Sequence, residues 1–327
     1  MFNNFVKLAL ENGGSIHPLV IPSELTNGTG IMNPSIFVDG DKIRVIIRHV
    51  NYTFYHSEKK LFQHQWGPLT YVHPENDMHL RTINYYCELD EDFNITRYNK
   101  IDTSKFPDKE LWDFVGLEDA RIFRWNGKLY ISGVRRDLDT IGTGRMELCE
   151  IEVREDSVVE VDRFRIPPPN DPNSYCEKNW MPILDRPYHY VKWSNPTEVV
   201  QVDIETQTSK TISLSKSINL PRDLRGGSQV IPVGDFYLSC THEVDLFNSE
   251  VGRKDAIYKH RFIVWDKNFN IVLTSDEFNF MDGHVEFCVG MTKLYENILM
   301  TFGFQDNAAY LLKVPEKVVE DFINKNV

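Results

Sequence analysis

Two short charged segments of the sequence, Glu118-Asp119 and Arg135-Arg136, have residue types that can exchange protons and bind anions. His242 can do both near neutral pH. Each group also has a structural interpretation. The carboxylate pair could be a solvated strand edge, the arginines could form salt bridges with Asp137 and Asp139, and the histidine could be a hydrogen-bonded structural residue. Their function depends on whether the fold brings them together.

Other unusual polar residues lie where short apolar segments begin or end. Those at the beginnings are Asn33, Glu118, Asp119, Lys178, Asn179, Arg225, Ser228, Gln229 and Glu286, and those at the ends are Arg48, Arg135, Arg136 and His242. In an antiparallel hairpin the start of one strand lies beside the end of the next, so hairpins around a centre would bring these groups to one mouth. Burying them without partners or a ligand would be costly. The pattern predicts a binding site at that mouth.

The apolar segments form five predicted β-hairpins, each with a turn signal between two strands. They span residues 33–48, 118–136, 179–194, 226–242 and 286–304, with turns expected at Asp39-Gly40, Asn126-Gly127, Asp185-Arg186-Pro187, Gly234-Asp235 and Glu296-Asn297. The strands that follow also repeat, because residues 88–96 and 264–272 both contain an Asp, two further polar residues and Phe-Asn-Ile.

A hairpin followed by one or two further strands, recurring about every 50–60 residues, is typical of propeller blades. A β-sandwich is the alternative, but a sandwich does not need the same hairpin five times. The sequence therefore predicts an all-β fold, a single five-bladed β-propeller in which residues 1–327 form one domain. Short helices are expected only near the termini, in the segments FVKLALEN and PEKVVEDFINKN.

Charge and composition argue against several classes of protein. With 36 Lys and Arg against 48 Asp and Glu, the net charge of −12 lacks the basic footprint of a nucleic-acid-binding module. The five cysteines are widely spaced and form no CxxC pair, which indicates free thiols in a reducing compartment. The amino terminus lacks the basic segment followed by an apolar stretch that is typical of a signal peptide. No apolar run approaches the ~20 residues of a membrane span. A soluble, cytoplasmic protein is expected.

At these polar positions the sequence resembles glycoside hydrolase family 130, the β-mannoside phosphorylases and hydrolases, and the related β-1,2-mannosyl-transferring enzymes. The best-matching segment runs from Gly116 to Arg121 and corresponds to the family's Gly-x-Glu-Asp-Pro-Arg, with Ala120 in place of proline. Shorter matches are Asn33-Pro34-Ser35 with Arg48, Glu177-Lys178-Asn179-Trp180 and Arg225-Gly226-Gly227-Ser228. These enzymes are five-bladed propellers, so the resemblance implies the same fold.

The resemblance implies that Asp119 is the general acid, with its pKa raised by desolvation and by the neighbouring Glu118. It implies that a phosphate is held by Arg135, Arg136 and His242, with Tyr258 and His260 as further donors. Which arginine of the pair faces the pocket stays open. The expected substrate-binding residues are Asn33, Arg48, Glu118, Arg121, Lys178, Asn179, Arg225, Ser228, Gln229 and Glu286.

The implied reaction is inverting phosphorolysis of a small or oligosaccharide β-mannoside, with inorganic phosphate or a sugar nucleotide as co-substrate and no other cofactor. Asp137-Leu138-Asp139 has the form of a metal-binding DxD motif but is expected on an exposed loop, so no metal is predicted. Three alternatives remain. They are a glycosyltransferase that uses a sugar nucleotide or sugar phosphate, a hydrolase with Glu243, Asp245 or Glu286 as base, and a non-catalytic glycan-binding propeller.

Overall fold

The computed structural model describes residues 4–53, 62–64, 67–69, 71–72, 77–248 and 254–324, which are mostly β. The helices within these residues are α1 (Asn4–Glu11), α2 (Ser23–Thr26) and α3 (Glu316–Asn324). The helices predicted near both termini are confirmed, whereas the single turn of α2 was not predicted. No helix in the described ranges is both long and apolar enough to span a bilayer.

The strands are short and mostly joined by tight turns. In chain order they are β1 (Ser15–Pro18), β2 (Ile31–Asp39), β3 (Lys42–Val50), β4 (Tyr52–Thr53), β5 (Phe62–His64), β6 (Gly67–Leu69), β7 (Tyr71–Val72), β8 (Leu80–Leu89), β9 (Ile95–Asp102), β10 (Phe114–Val115), β11 (Glu118–Trp125), β12 (Lys128–Arg135), β13 (Arg145–Val153), β14 (Val158–Arg165), β15 (Met181–Pro182), β16 (His189–Ser194), β17 (Thr197–Asp203), β18 (Thr208–Leu214), β19 (Ile231–Val233), β20 (Phe236–Asn248), β21 (Lys254–Trp265), β22 (Ile271–Thr274), β23 (Glu286–Leu294), β24 (Asn297–Phe304) and β25 (Ala308–Pro315).

Most strands pair in antiparallel groups of four. The groups are β2-β3-β8-β9, β11-β12-β13-β14, β15-β16-β17-β18, β19-β20-β21-β22 and β1-β25-β24-β23. A short parallel pairing of β14 with β9 joins the first two groups into one larger sheet. In the last group, β1 from the amino-terminal part of the chain pairs with β25 from the carboxy-terminal part, so one sheet contains strands that are far apart in the sequence.

All five predicted hairpins are present, as β2–β3, β11–β12, β15–β16, β19–β20 and β23–β24. The turn at Asn126-Gly127 has positive φ at both residues (47° and 78°), which is what a tight two-residue hairpin requires and what Asn-Gly adopts readily. The turn of β23–β24 lies at Tyr295-Glu296, one residue earlier than predicted, because Asn297 already pairs with Leu294.

The repeated Asp and Phe-Asn-Ile segments form the same turn at both places. The Oδ1 atom of Asp90 accepts hydrogen bonds from the backbone N–H of Asp92 (3.0 Å) and Asn94 (2.8 Å). Asp266 Oδ1 accepts the equivalent bonds from Asn268 (2.8 Å) and Asn270 (2.9 Å). The repeat seen in the sequence is therefore a repeat of structure, in which an aspartate shapes the turn between the last two strands of a group.

A buried glutamine ties several groups of strands together at the centre of the molecule. Gln229 is fully buried, and its Nε2 donates to Ser35 Oγ (3.1 Å), Ile36 O (2.9 Å) and Ile122 O (2.8 Å). Its Oε1 accepts the backbone N–H of Met291 (2.9 Å). One amide thus joins β2, β11 and β23, the first strands of three groups, which also contact one another. These strands therefore converge on a shared centre.

The central position of Gln229 predicts a large loss of stability on truncation. Gln229→Ala leaves a buried N–H and buried carbonyls without partners. Each unsatisfied group lowers the free energy of unfolding by about 1–3 kcal/mol. We expect chemical denaturation to show a free energy of unfolding lower by about 3 kcal/mol or more. Gln201→Ala, at a partly exposed position of β17, is the control. Equal stability of the two variants would contradict a central role for Gln229.

Candidate active site

Asp119 lies at the start of β11 and contacts residues from the first sheet group. Its Oδ1 accepts hydrogen bonds from Asn33 Nδ2 and from Arg48 Nη1, both at 2.8 Å. Arg48 also donates from Nε to Thr82 Oγ1 (3.1 Å), which holds the guanidinium in place. Three residues that the sequence analysis assigned to one site, Asn33, Arg48 and Asp119, are therefore in direct contact.

The backbone at this point is strained. Asn33, Asp119 and Asn179 have positive φ values of 46°, 51° and 60°, which are uncommon for residues other than glycine. Asn33 and Asp119 also coincide with shifts of strand register that mark β-bulges. Bulges turn side chains out of the regular alternation, and such strain concentrates at functional sites. The three residues lie at or just before the first strands of three corresponding hairpins, so the same strained feature recurs at three hairpin starts.

The ionisation of Asp119 is set by opposing effects. Burial acts to raise its pKa, but the charge of Arg48, the hydrogen bond from Asn33 and the charge of Arg121 outweigh it, so the pKa lies below its usual value. The expectation of a raised pKa is therefore wrong. Arg48 and Asn33, rather than Glu118, dominate the surroundings of this carboxylate.

Glu118 lies between two guanidinium groups without a short contact to either. Its carboxylate is 3.5 Å from Arg48 Nη2 and 3.9 Å from Arg136 Nε. Its Oε1 atom is buried and has no hydrogen-bond partner within the described structure. The same is true of Nη2 of Arg121 and Oδ1 of Asn179. Buried polar atoms without partners are rare in folded proteins, so their occurrence on three residues at the predicted site favours a polar ligand there.

A chain of hydrogen bonds connects Asp119 with His242. Arg121 donates from Nη1 to the backbone oxygen of Asp119 (2.8 Å) and from Nε to that of Gly227 (2.8 Å). His242 Nδ1 donates to the backbone oxygen of Gly226 (2.9 Å). A Cβ at Gly226 would lie only 1.9 Å from the backbone oxygen of Asn179, so this close approach requires glycine. The Arg225-Gly226-Gly227-Ser228 segment thus joins both sides of the site.

Cationic residues surround His242. Burial lowers its pKa well below the usual value, and the nearby His260, Arg225 and Lys178 lower it further. Its ring stacks on Tyr258, with centroids 5.4 Å apart and planes at 7°. In the ranges that the structure covers, neither Lys178 nor Arg225 forms an ion pair with a carboxylate, unlike most other arginines of the protein. Two uncompensated cations therefore lie beside a neutral imidazole whose Nε2 does not carry the proton.

Asp306 is a site residue that the sequence analysis missed. It lies in the turn between β24 and β25, and burial raises its pKa to about 6, with Arg48 opposing and Asp119 adding to the rise. It also has a positive φ of 51°. A Cβ at Gly303 would lie 2.1 Å from Asn33 Oδ1, so the end of β24 packs closely against Asn33. The site thus contains two carboxyl groups with opposite shifts of pKa.

The two adjacent arginines point in different directions. Arg135 is buried and donates a hydrogen bond to Glu147 Oε2 (2.9 Å). It also forms ion pairs with Asp108 and Asp137. It therefore belongs to a buried ion network rather than to the site around Asp119 and His242. Arg136, by contrast, lies beside Glu118. Asp137 is fully buried, so the expected exposed loop is wrong for this residue of the DxD-like motif.

Several predicted substrate-binding or phosphate-binding residues have their polar atoms occupied within the fold. The amide of Gln229 accepts a hydrogen bond from the backbone N–H of Met291. The hydroxyl of Ser228 donates to the backbone oxygen of Gln229 and accepts from the backbone N–H of Cys240. The carboxylate of Glu286 accepts three backbone N–H groups, from Phe280, Met281 and Gly283. His260 is fully buried beside Phe278 and Phe280, and burial lowers its pKa to about 3. Its Nε2 accepts the backbone N–H of Cys288 (3.2 Å), whereas its Nδ1 has no hydrogen-bond partner among the described residues.

The bases considered for hydrolysis are also engaged. Glu243 pairs with Arg261 (2.8 Å) and Arg222 (3.6 Å), and Asp245 pairs with Arg222 (2.6 Å). Glu243 and Asp245 alternate with His242 and Val244 along β20, so they lie on the opposite face of that strand.

No protein-family model and no curated protein matches the sequence. Solved structures do resemble the fold. The β-1,2-mannobiose phosphorylase from Listeria innocua is 10% identical, with a TM-score of 0.57 over 98% of both chains. From Leishmania mexicana, the mannose phosphorylase MPT-4 is 12% identical, with a TM-score of 0.55 over 95% of this chain and 92% of that one. From the same organism, the GDP-Man-dependent mannosyltransferase MPT-1 is 10% identical, with a TM-score of 0.52 over 92% and 90%.

These structural neighbours act on glycosidic bonds, and the resemblance inferred from the sequence motifs is confirmed as a likeness of fold. At such low identity the likeness extends to the fold alone.

The raised pKa of Asp306 predicts a pH-dependent effect of Asp306→Asn. Ionising a carboxyl group whose folded-state pKa is raised destabilises the protein, so wild type loses stability as the pH rises from about 4 through 6. The neutral variant avoids this loss and should gain on the order of 1–3 kcal/mol relative to wild type between pH 4 and 8. Asn tolerates the positive φ.

Urea denaturation at pH 4, 6 and 8 measures this difference. The exposed Asp41→Asn variant is the control and should show no such trend. A constant difference between Asp306→Asn and wild type across this pH range would contradict the assignment.

Proposed function

We propose that this chain is a carbohydrate-active enzyme that transfers a mannosyl group between a β-mannoside and phosphate, in the manner of an inverting glycoside phosphorylase. The contact that carries the proposal is the Asn33–Asp119–Arg48 cluster, which lies beside uncompensated cations. A carboxyl group and an anion site that share one pocket suit the cleavage of a glycosidic bond by phosphate.

The proposed architecture is a single five-bladed β-propeller formed by residues 1–327. Its support is the five antiparallel groups of four strands, the closure of the last group by β1, and the convergence of first strands on Gln229. In this arrangement each group is a blade, and the starts of the first strands surround the mouth of a central channel. We further place the enzyme in the cytoplasm, where its five free cysteines would stay reduced.

We assign the sugar to the side of the pocket formed by Asn33, Arg48, Asp119 and Asp306. Carboxylates accept hydrogen bonds from sugar hydroxyls, while Arg48 and Asn33 hold Asp119 in a fixed position. In the reaction a phosphate oxygen forms a bond to the anomeric carbon as the bond from that carbon to the leaving oxygen breaks. Asp119 gives its proton to the leaving oxygen, so the leaving sugar departs as a neutral alcohol.

We assign the phosphate to Lys178, Arg225, His242 and Tyr258. Arginine and lysine bind phosphate oxygens through charge-assisted hydrogen bonds, and here their charges are not cancelled by a carboxylate of the described residues. His242 would bind phosphate best after gaining a proton at Nε2, because its Nδ1 hydrogen is already donated to Gly226. Arg135 is not part of this assignment, since carboxylates surround its guanidinium.

The arrival of phosphate would also prepare Asp119 for its role. In the unliganded protein Asp119 is held ionised, so it has no proton to give. A phosphate dianion nearby disfavours the charged carboxylate and favours a proton on Asp119 and on His242. Binding of phosphate and uptake of a proton should therefore be coupled.

A sugar nucleotide is the second candidate donor. Lys178 is exposed, so its ammonium group is accessible to a second phosphoryl group, and MPT-1, whose fold is similar, is a GDP-Man-dependent enzyme. Calorimetric titration with inorganic phosphate and separately with GDP-mannose distinguishes the two donors.

Asp119→Asn should abolish phosphorolysis without unfolding the chain. Asn keeps the shape and the positive φ of the position but cannot deliver a proton, so the rate should fall at least about 10³-fold. Release of mannose 1-phosphate from β-1,2-mannobiose and phosphate measures the rate, and circular dichroism checks the fold. Asp203→Asn, at an exposed position, is the control. Full activity of Asp119→Asn would remove Asp119 from the mechanism.

Arg225→Ala should weaken binding of inorganic phosphate about tenfold or more, since a charge-assisted hydrogen bond contributes about 1.5–3 kcal/mol. Calorimetry in buffers of different ionisation enthalpy should also show proton uptake by wild type. The surface variant Lys210→Ala should bind phosphate as wild type does. Unchanged affinity of Arg225→Ala, or the absence of proton uptake, would contradict the assignment.

A further inference from the structure

An apolar surface adjoins the pocket on the side of Glu118. Its large side chains come from separate loops and are unusually exposed, with Leu111 at 49%, Ile141 at 63% and Tyr175 at 52%. Apolar surface next to a polar cleft is typical of a ligand-binding surface. Because the loops are far apart in the sequence, something in the fold must hold them together.

Arg136 holds these loops together. It donates from Nη1 to the backbone oxygen of Gly142 (3.2 Å) and from Nη2 to Cys176 Sγ (2.9 Å), and its guanidinium lies 6.0 Å from the centre of the Tyr175 ring. Its Nε lies 3.9 Å from Glu118 Oε1. Arg136 thus connects the apolar surface to the pocket and is a positioning residue.

Two further contacts support the surface from below. Trp112 packs closely on Gly142, where a Cβ would lie 2.3 Å from the indole ring. The backbone N–H of Leu111 bonds the backbone oxygen of Asp137 (3.1 Å). The exposed side chains therefore rest on a packed base, which limits the cost of ordering them when a ligand binds.

The polar atoms left without partners among the described residues on this side of the site are two acceptors and one donor, Nη2 of Arg121. Glu118 Oε1 and Asn179 Oδ1 are buried oxygens without a hydrogen-bond partner, and Asn179 is only 9% exposed. Buried acceptors and a buried donor without partners suit the hydroxyl groups of a sugar, because each hydroxyl can both donate and accept a hydrogen bond. An aromatic ring next to them can pack against the C–H face of a pyranose.

We propose that Ile141 and Tyr175, together with Glu118 and Asn179, form the binding site for the second sugar, which is the leaving group in phosphorolysis and the acceptor in synthesis. This inference rests on the proposed function. The sugar's hydroxyls donate to the two open oxygens, and its ring packs on Tyr175. Tyr175 then determines how tightly the second sugar binds, while phosphate binds at a separate place.

Cys176 offers a readout that does not depend on activity. It is the only partly exposed cysteine of the five, and the other four are buried. Its sulfur accepts a hydrogen bond from Arg136, so a sugar bound on this surface would cover it. Alkylation by iodoacetamide, followed by mass spectrometry of the Cys176 peptide, gives its reaction rate. We expect β-1,2-mannobiose to slow this rate and inorganic phosphate alone to leave it unchanged.

Variants of Tyr175 test the surface directly. In Tyr175→Ala, the mannobiose concentration that halves the alkylation rate of Cys176 should rise about tenfold or more. KM for mannobiose should rise by the same factor, which corresponds to a loss of about 1.4 kcal/mol of binding free energy. KM for phosphate should not change. Tyr175→Phe keeps the ring and should behave as wild type. Tyr295→Ala, at another exposed tyrosine in the β23–β24 turn, is the control. Comparing rates with and without sugar within each variant cancels any change in thiol exposure.

The possible failures are distinguishable. If calorimetry detects no mannobiose binding by wild type, the proposed function and this sugar site fall together. If mannobiose binds but neither protects Cys176 nor depends on Tyr175, only the sugar site is wrong. If GDP protects Cys176 and mannobiose does not, the surface binds a nucleobase instead, which also overturns the proposal.

Discussion

The whole site depends on the requirement that one buried amide, that of Gln229, be fully hydrogen-bonded. Its four bonds reach β2, β11 and β23, and leaving any of these groups unpaired in the interior would be costly. The bonds therefore fix how the first strands of three sheet groups meet. Because Asn33 and Asp119 lie two or three residues before the bonded positions Ser35, Ile36 and Ile122, fixing the strands also fixes the carboxylate and its partner.

Around that fixed point the charges of the pocket separate into two regions. Near β2 and β11, carboxylates and Arg48 balance one another, and the shifts of pKa at Asp119 and Asp306 have opposite signs. Near β20, Lys178 and Arg225 lie beside a neutral His242. A neutral sugar suits the first region and an anion suits the second. Among the described residues, buried polar atoms without hydrogen-bond partners and exposed apolar side chains lie on the side of Glu118.

Much of the fold could be predicted from the sequence, because turns and alternation are local. Asn126-Gly127 specifies a tight hairpin on its own, and Asp90 and Asp266 each shape a turn within five residues. The direction of a side chain is less local. Gln229 and Glu286 were correctly placed among polar residues at strand starts, but their side chains serve the fold, which depends on neighbours remote in the sequence. Arg135 and Arg136 are adjacent, but β12 ends at Arg135, so a pattern of alternation along the strand does not decide which of the two faces the site. Asp306 was missed because it follows a second strand rather than beginning a first.

The most direct test of the account is a crystal structure of the Asp119→Asn variant with β-1,2-mannobiose and inorganic phosphate bound. The account predicts that the phosphate lies against Lys178, Arg225 and His242, with the anomeric carbon between it and residue 119. A sugar bound away from residue 119, or a phosphate bound on the far side of the molecule from His242, would contradict it.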